Sequence, residues 1–251
     1  MVGLIGILLS LGLLMFLAYR GINVLVLAPI MALLAALLGT IWLFSPILTP
    51  FVKLAEILGS FVGQVTEDPI LSVEILFDGQ PSQMNTRALT SAALAGLLKP
   101  QMQSVNMVSA PLMAKERGIQ VSEVRRDKTG VFDGYIKVTI KTAKMERSIA
   151  GTCFSDGKPR FIQIKDINME ADVGRHMLYT TNKDVPGVIG EIGMTFGKAG
   201  INIANFHLGR DVEGGNAIAL LYLDGPLSDA FIAEVASLKA IGQAKLLEFD
   251  V

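Results

Sequence analysis

Between residues 1 and 52 this chain carries a single charged side chain, Arg20, and the other 44 of its 45 Lys, Arg, Asp and Glu residues lie from Lys53 onward. Two different materials are therefore joined near residues 46–53. Residues 2–18 form a run of 17 without charge, with Ser10 as its polar side chain, and residues 22–44 form a second run of 23, softened by Asn23, Pro29 and Thr40. A bilayer core asks for about 20 apolar residues. The spacing thus predicts a two-helix transmembrane hairpin, at about 2–18 and 22–44, turned by Tyr19-Arg20-Gly21. The aromatic residue suits a membrane interface, and Pro29 is tolerable where neighbours satisfy the freed carbonyl. A secretory signal fits less well, because no Lys or Arg precedes the apolar run and no small-x-small site leads into a polar start. Two spans put both ends on one side. The folded remainder is expected on the cytoplasmic face, which leaves Arg20 outside against the positive-inside tendency. Without the hairpin the chain is expected in the cytoplasm.

Several chemistries are excluded by composition. The net charge is −1, from 22 basic and 23 acidic residues, whereas a nucleic-acid binder should be basic. One cysteine, Cys153, leaves no disulfide framework and no cysteine-rich zinc site. Two histidines, His176 and His207, are too few for most histidine metal centres, so no metal is expected. Cys153 reads as a small buried hydrophobe and His207, between Phe206 and Leu208, as a packed strand residue; neither has a partner for nucleophilic catalysis. Gly3 and Gly6 imitate the start of a phosphate-binding glycine loop, but no strand precedes them, and no dinucleotide-binding βαβ unit is expected.

Beyond the junction at Ser45-Pro46 and Thr49-Pro50, apolar residues recur every three or four positions from Phe51 to Val65, which predicts an amphipathic helix. A β-rich run at 70–77, a turn at Asp78-Gly79, a helix from Asn85 to Leu98 and a short helix from Ser109 to Gly118 follow. Strands are expected at 119–124, 134–141, 146–154 and 160–164, closing an α/β unit near Gly174. The last segment has the cleanest pattern: a strand at 177–181, a helix opened by Pro186-Gly187 with Pro in the first helical position and ended by Gly200, a hairpin of 201–208 and 217–223, a helix capped by Ser228, and a strand at 243–249. The order is βαββαβ, the ferredoxin-like split unit. The expected fold class is α+β, with a hairpin at 1–45, a junction at 46–53, an intervening α/β domain at 54–175 and the βαββαβ domain at 176–251.

The loop Asn182-Lys183-Asp184-Val185-Pro186-Gly187 runs into a helix start, where free N–H groups and the helix dipole favour a carboxylate. Asp184 adds an anion that could hold an ammonium group, so the two together suit a free amino acid. Asp184 could equally be a helix cap and Gly187 a packing residue. Asn202 interrupts the apolar strand Ile201-Asn202-Ile203 and is expected beside the first strand and its loop, as a network residue or a ligand contact. Lys115, Arg117, Arg125, Arg126, Arg147, Lys158 and Arg160 enrich the middle unit in cations, either as a solvated face or as an anion pocket.

Two resemblances complete the reading. The run GLIGILLSLGLLMFLAYRGINVLVLAPIMALLAALL resembles the start of the gluconate-permease family, although two helices alone build no transport pathway. The motifs LGSFVGQ, NMVSAPLMAKERGI, SIAGTCF, NKDVPGVIGEIGMTFGKAGINIANFHLGRD and GGNAIALLYLDG, from about Leu54 to Val251, resemble the C-terminal regulatory half of the D-3-phosphoglycerate dehydrogenase family, long form. That resemblance implies an allosteric substrate-binding middle domain and a final ACT domain that dimerises and binds L-serine or a similar small amino acid. It places serine contacts on Asn182, Asp184 and Asn202, with the amides after Pro186 and at Gly187 taking the carboxylate. It places Arg160 on a basic position of the middle domain's anion site, while a second such position holds Asp172. The family's catalytic residues and its NAD-binding half have no counterpart here. The expectation is a chain with no catalytic residue and no cofactor: a membrane-tethered regulatory module, or alternatively a truncated transporter with a cytoplasmic amino-acid sensor or a non-functional fusion remnant. The partners expected are the amino acid, a second copy and the lipid bilayer, with no nucleic acid.

Overall fold

The computed structural model describes residues 48–250 except 103 and 128–130, together with 12, 13, 15–17, 19, 20 and 29. Apart from these isolated positions the expected transmembrane hairpin lies outside the described residues. No helix among the described residues is long and apolar enough to cross a membrane. The chain divides into two compact units, Met1–Thr49 and Pro50–Val251. In the first, the Arg20 amide donates to the Phe16 carbonyl at 3.1 Å, and its guanidinium lies 5.5 Å from the Phe16 ring centre.

Helix α1 (Leu48–Val65) leads into the second unit. Its apolar stripe Phe51, Leu54, Ala55, Leu58, Phe61, Val62 and Val65 is buried throughout. The helix starts three residues before the expected Phe51; Pro50 falls in its first turn, where no amide partner is lost. Helix α2 (Thr86–Leu98) crosses α1 with backbone against backbone. A Cβ built on Gly59 would stand 1.9 Å from the Ala93 carbonyl oxygen, and one on Gly96 would stand 1.9 Å from that of Glu56. Only glycine permits this approach.

Both helices serve a six-stranded sheet in the order β2-β1-β3-β4-β5-β6. Its strands are β1 (Ile70–Gly79), β2 (Gln120–Arg126), β3 (Gly134–Thr142), β4 (Glu146–Cys153), β5 (Pro159–Ile164) and β6 (Ile167–Asp172). β1 and β2 are parallel, joined through α2 and the short α3 (Ala110–Glu116); the remaining pairs are antiparallel. The sequence reading passed over β6. Its alternation is plain once seen, with Ile167, Met169 and Ala171 buried and Asn168, Glu170 and Asp172 exposed. The signal was hidden by a two-residue turn, Lys165-Asp166, in which Lys165 adopts a left-handed φ of 54° without being glycine or asparagine.

The C-terminal part follows the expected βαββαβ order: β7 (His176–Lys183), α4 (Val188–Lys198), β8 (Ile203–Arg210), β9 (Asn216–Leu223), α5 (Asp229–Ala236) and β10 (Ile241–Glu248). Its antiparallel sheet is ordered β10-β7-β9-β8, so β10 and β8 are its edge strands. Leu178, Ile192, Phe196, Leu221, Phe231 and Val235 form the core beneath the two helices. Ser228 caps α5 through its hydroxyl, which accepts from the Phe231 amide at 3.3 Å. Pro186 is not in the first helical position, as its sequence suggested; Gly187, with φ 95°, is the N-cap and Val188 begins the helix.

The two expected domains, 54–175 and 176–251, share one compact unit. Tyr179, buried on the sheet face away from α4 and α5, meets Phe61 edge-on at 5.4 Å. Gly209 in β8 lies against the β6 chain, where a Cβ would come 2.7 Å from Ile167 and 2.8 Å from the Asn168 carbonyl oxygen.

Candidate functional site

The turn between β8 and β9 folds over the loop that leads into α4, and Asp184 is the residue that ties them. Its Oδ2 accepts from Arg210 Nη1 at 2.8 Å and from the Gly214 amide at 3.0 Å, while its own amide donates to the Gly215 carbonyl at 3.0 Å. Asp184 is therefore not a helix cap: α4 has no side-chain cap at all. The hydrogen bond from Arg210, with that from Gly214, holds the Asp184 carboxyl below the usual carboxylate range. The hairpin turn is itself held by Asp211, whose carboxylate accepts from the Val212 amide at 2.6 Å and the Asn216 amide at 2.7 Å. Next to this pair the first-turn amides of α4 carry the positive end of the helix dipole. One small region thus presents an anion, a guanidinium and free N–H donors.

The remaining expected residues are placed differently. Asn182 is 7% exposed; its amide nitrogen donates to the Lys183 carbonyl at 2.9 Å, and its Oδ1 is buried with no partner. Pro186 and Gly187 are exposed ahead of α4. Asn202 does not lie beside the first strand and its loop. β8 pairs with β9 alone, and Ile203 stands opposite Leu223, level with His176 at the start of β7. Asn202 instead donates to Asp224 at 2.8 Å. It sits at the opposite end of the sheet from the Asp184 loop, about 26 Å away by the rise of an eight-residue strand. The expectation failed because period two fixes the face of a strand residue and says nothing about which strand is its neighbour.

Arg160 is in β5 with its charge already answered. Nε donates to Asp172 at 2.7 Å, Nη2 donates to Asp156 at 3.0 Å, and the guanidinium stacks 4.5 Å from the Phe154 ring centre. An incoming anion would have to displace carboxylates, so the basic site implied for Arg160 is a closed ion-pair cluster here. Cys153 is half-buried rather than buried, and burial pushes its thiol up to about 12. His207 keeps its Nε2 buried without a partner. The one parallel crossover among the described residues, β1 to β2, does not fit NAD. The turn after β1 is a 3-10 helix, Gln80–Gln83, with Pro81 and Ser82 buried and the Ser82 hydroxyl bonded to the Gly79 carbonyl at 2.8 Å, which fills the place of a phosphate cradle. Sequence reasoning missed Arg210; the available signal was a lone cation closing a strand opposite an acidic loop.

With this geometry in hand, comparison with known proteins points one way. Residues 47–165 match the D-3-phosphoglycerate dehydrogenase intervening domain. D-3-phosphoglycerate dehydrogenase from Synechocystis sp. is 34% identical over 199 residues, covering 78% of this chain and 36% of the relative. That from Bacillus subtilis is 32% identical over 200 residues, 79% of this chain and 38% of the relative. That from Archaeoglobus fulgidus is 32% identical over 202 residues, with the same shares of 79% and 38%. The chain therefore spans a little over a third of the length of these D-3-phosphoglycerate dehydrogenases, over their intervening and regulatory region. The gluconate-permease resemblance of about the first 45 residues has no support in these matches.

Proposed function

We propose that this chain is a non-catalytic regulatory module of the D-3-phosphoglycerate dehydrogenase type, in serine biosynthesis. It binds L-serine or a similar small amino acid at an ACT-domain dimer interface. Residues 1–45 tether it to a membrane with the folded part on the cytoplasmic side. The observation that carries the reading is the Asp184–Arg210 pair at 2.8 Å beside the uncapped start of α4. A zwitterion needs an anion for its ammonium and donors for its carboxylate; once the ligand opens the Asp184–Arg210 pair, Asp184 offers the first, and Arg210 with the α4 amides offers the second.

β8 is an edge strand, which supports a site completed by a second copy along the stretch before Gly209, where β6 lies against it. Two β8 strands paired antiparallel across a two-fold axis would bring Asn202 of one copy to the Asp184 loop of the other. Val185 and Ile189 are exposed apolar residues around the same helix start, and Met194 is exposed farther along α4, as a surface awaiting a partner would have.

Calorimetry of the full chain in detergent with L-serine tests the proposal. Asp184→Ala should weaken binding about ten- to a hundred-fold, since it removes a charge-assisted contact, and Asn202→Ala about two- to ten-fold. Both effects should vanish with the dimer, as read by sedimentation. Unchanged serine affinity in Asp184→Ala sinks the reading. Nicotinamide-linked turnover of 3-phosphoglycerate by the purified chain would contradict its non-catalytic part, and removal of the C-terminal part by protease outside intact cells would contradict its topology.

A further inference from the structure

We propose that the cavity at the amino ends of the parallel strands β1 and β2 binds a small carboxylic acid with a branched aliphatic body, held by Arg117. Helix α1 leads into this end of the sheet through Thr66, and α2 and α3 both finish beside it. The cavity has a volume of about 560 Å³, the size of a small-molecule site. Pro69, Ile70, Leu98 and Ile119 give it apolar walls. Leu98 and Ile119 are buried and Ile70 is half-buried, so a ligand that entered would lie against the edge of the domain core.

Arg117 sets the charge of the ligand. It is exposed and stands directly after α3. Its Nη1 donates to Gln101 Oε1 at 3.2 Å, and the guanidinium has no carboxylate partner among the described residues. A guanidinium carries five N–H donors in a planar fork that fits a carboxylate, and this one spends a single donor on a neutral amide. The two acidic residues of the walls are answered from outside the cavity. Glu67 accepts from Lys245 at 2.8 Å, and Asp68 accepts from Lys144 at 2.7 Å. Among the described wall residues, Arg117 is therefore the charge left without a counter-ion.

Thr66 is an independent sign of a ligand. It is on the cavity wall, 4% exposed, and its hydroxyl is buried without a hydrogen-bond partner. A threonine at the end of a helix can return its hydroxyl to a carbonyl of the preceding turn, and Thr66 does not. Rotation about χ1 would let it donate to the same carboxylate that Arg117 holds. The apolar walls separate this site from one for an inorganic anion, which would leave Leu98 and Ile119 uncovered. It is also separate from the Asp184–Arg210 pair, which belongs to the other sheet. Failure of the amino-acid reading leaves it standing, and the converse also holds.

Calorimetric titration of the full chain with isovalerate tests the proposal, with isoamylamine and acetate as controls for head group and body. Arg117→Gln removes the charge from an exposed position and leaves the core intact. It should reduce isovalerate affinity by at least about ten-fold. Thr66→Val keeps the side-chain shape without the hydroxyl and should reduce it about two- to ten-fold. L-serine binding should be unchanged in both variants. Isovalerate that fails to bind the parent chain, or that binds Arg117→Gln equally well, overturns the proposal. Isoamylamine binding as tightly as isovalerate overturns the charge assigned to the ligand, and acetate binding as tightly overturns its aliphatic body.

Discussion

The side chain of Gln64 sits against the backbone of Glu248 as a neighbouring strand would. Its Nε2 donates to the Glu248 carbonyl at 2.8 Å and its Oε1 accepts from the Glu248 amide at 2.9 Å. β10 is an edge strand, and an unpaired edge invites pairing with another chain. A glutamine at the end of α1 thus closes the end of an edge formed 184 residues later. Around it, Glu67, just past α1, pairs with Lys245 of β10 at 2.8 Å, and Phe161 of β5 meets Phe249, just past β10, at 5.9 Å.

Gln64→Ala should therefore lower stability by about 1–3 kcal/mol, the loss of two net hydrogen bonds. Gln64→Glu should be no better, because it sets a second acceptor against the Glu248 carbonyl. Urea midpoints read the effect; a parent-like midpoint in both variants would mean that water replaces the amide at no loss.

Gly59→Ala and Gly96→Ala should each destabilise by roughly 1–3 kcal/mol or more, because the added methyl would stand 1.9 Å from a carbonyl oxygen of the facing helix and must push the two helices apart. Gly190→Ala and Gly193→Ala in α4 meet nothing within 4 Å. These should instead stabilise by about 0.5–1 kcal/mol each through helix propensity. Thermal melts of the four variants should separate into two groups of opposite sign.

The Asp184–Arg210 contact makes the loop acid-sensitive. A carboxyl whose folded value is depressed contributes stability that is complete above its unfolded value and lost as pH falls through the folded one. Loop protection in hydrogen exchange should hold from neutral pH down to about pH 4 and fall below it. Arg210→Ala should move that loss upward toward the ordinary aspartate range. An unchanged profile in Arg210→Ala would show that the Gly214 amide alone sets it.

Lys165 behaves in the opposite sense. Its folded value is lowered, so the unfolded chain binds the extra proton, and stability should rise with pH as the ammonium discharges below the usual lysine value. Lys165→Gly should abolish that slope and relieve the left-handed turn, a gain of about 1 kcal/mol. Urea midpoints between pH 7 and 10 test both signs.

Cys153, with its thiol pushed up to about 12, carries on the order of one thiolate in ten thousand molecules at pH 8. Iodoacetamide should label it slowly in the folded chain and rapidly in urea. Fast native labelling would contradict the burial.

Along the chain, local pattern carried most of the element order. The α1 stripe from Phe51 to Val65, the Ser228 cap, the stop at Gly200 (φ 70°) and the βαββαβ succession are written in spacings of two, three and four and in glycines that take positive φ. Strand β6 was equally local, yet a lysine in a position where glycine or asparagine is the usual signal concealed it. The loop around Asp184 was legible as a place where charge meets a helix start. Its partners were not, because Arg210 and Gly214 reach it only through the β8–β9 hairpin. Asn202 lies at the far end of the sheet because strand order, not strand periodicity, assigns neighbours. The ion pairs that answer Arg160 and the glutamine that closes β10 belong to tertiary structure alone. Each joins residues from separate elements, and a sequence specifies such meetings only after the sheets have chosen their order and packed.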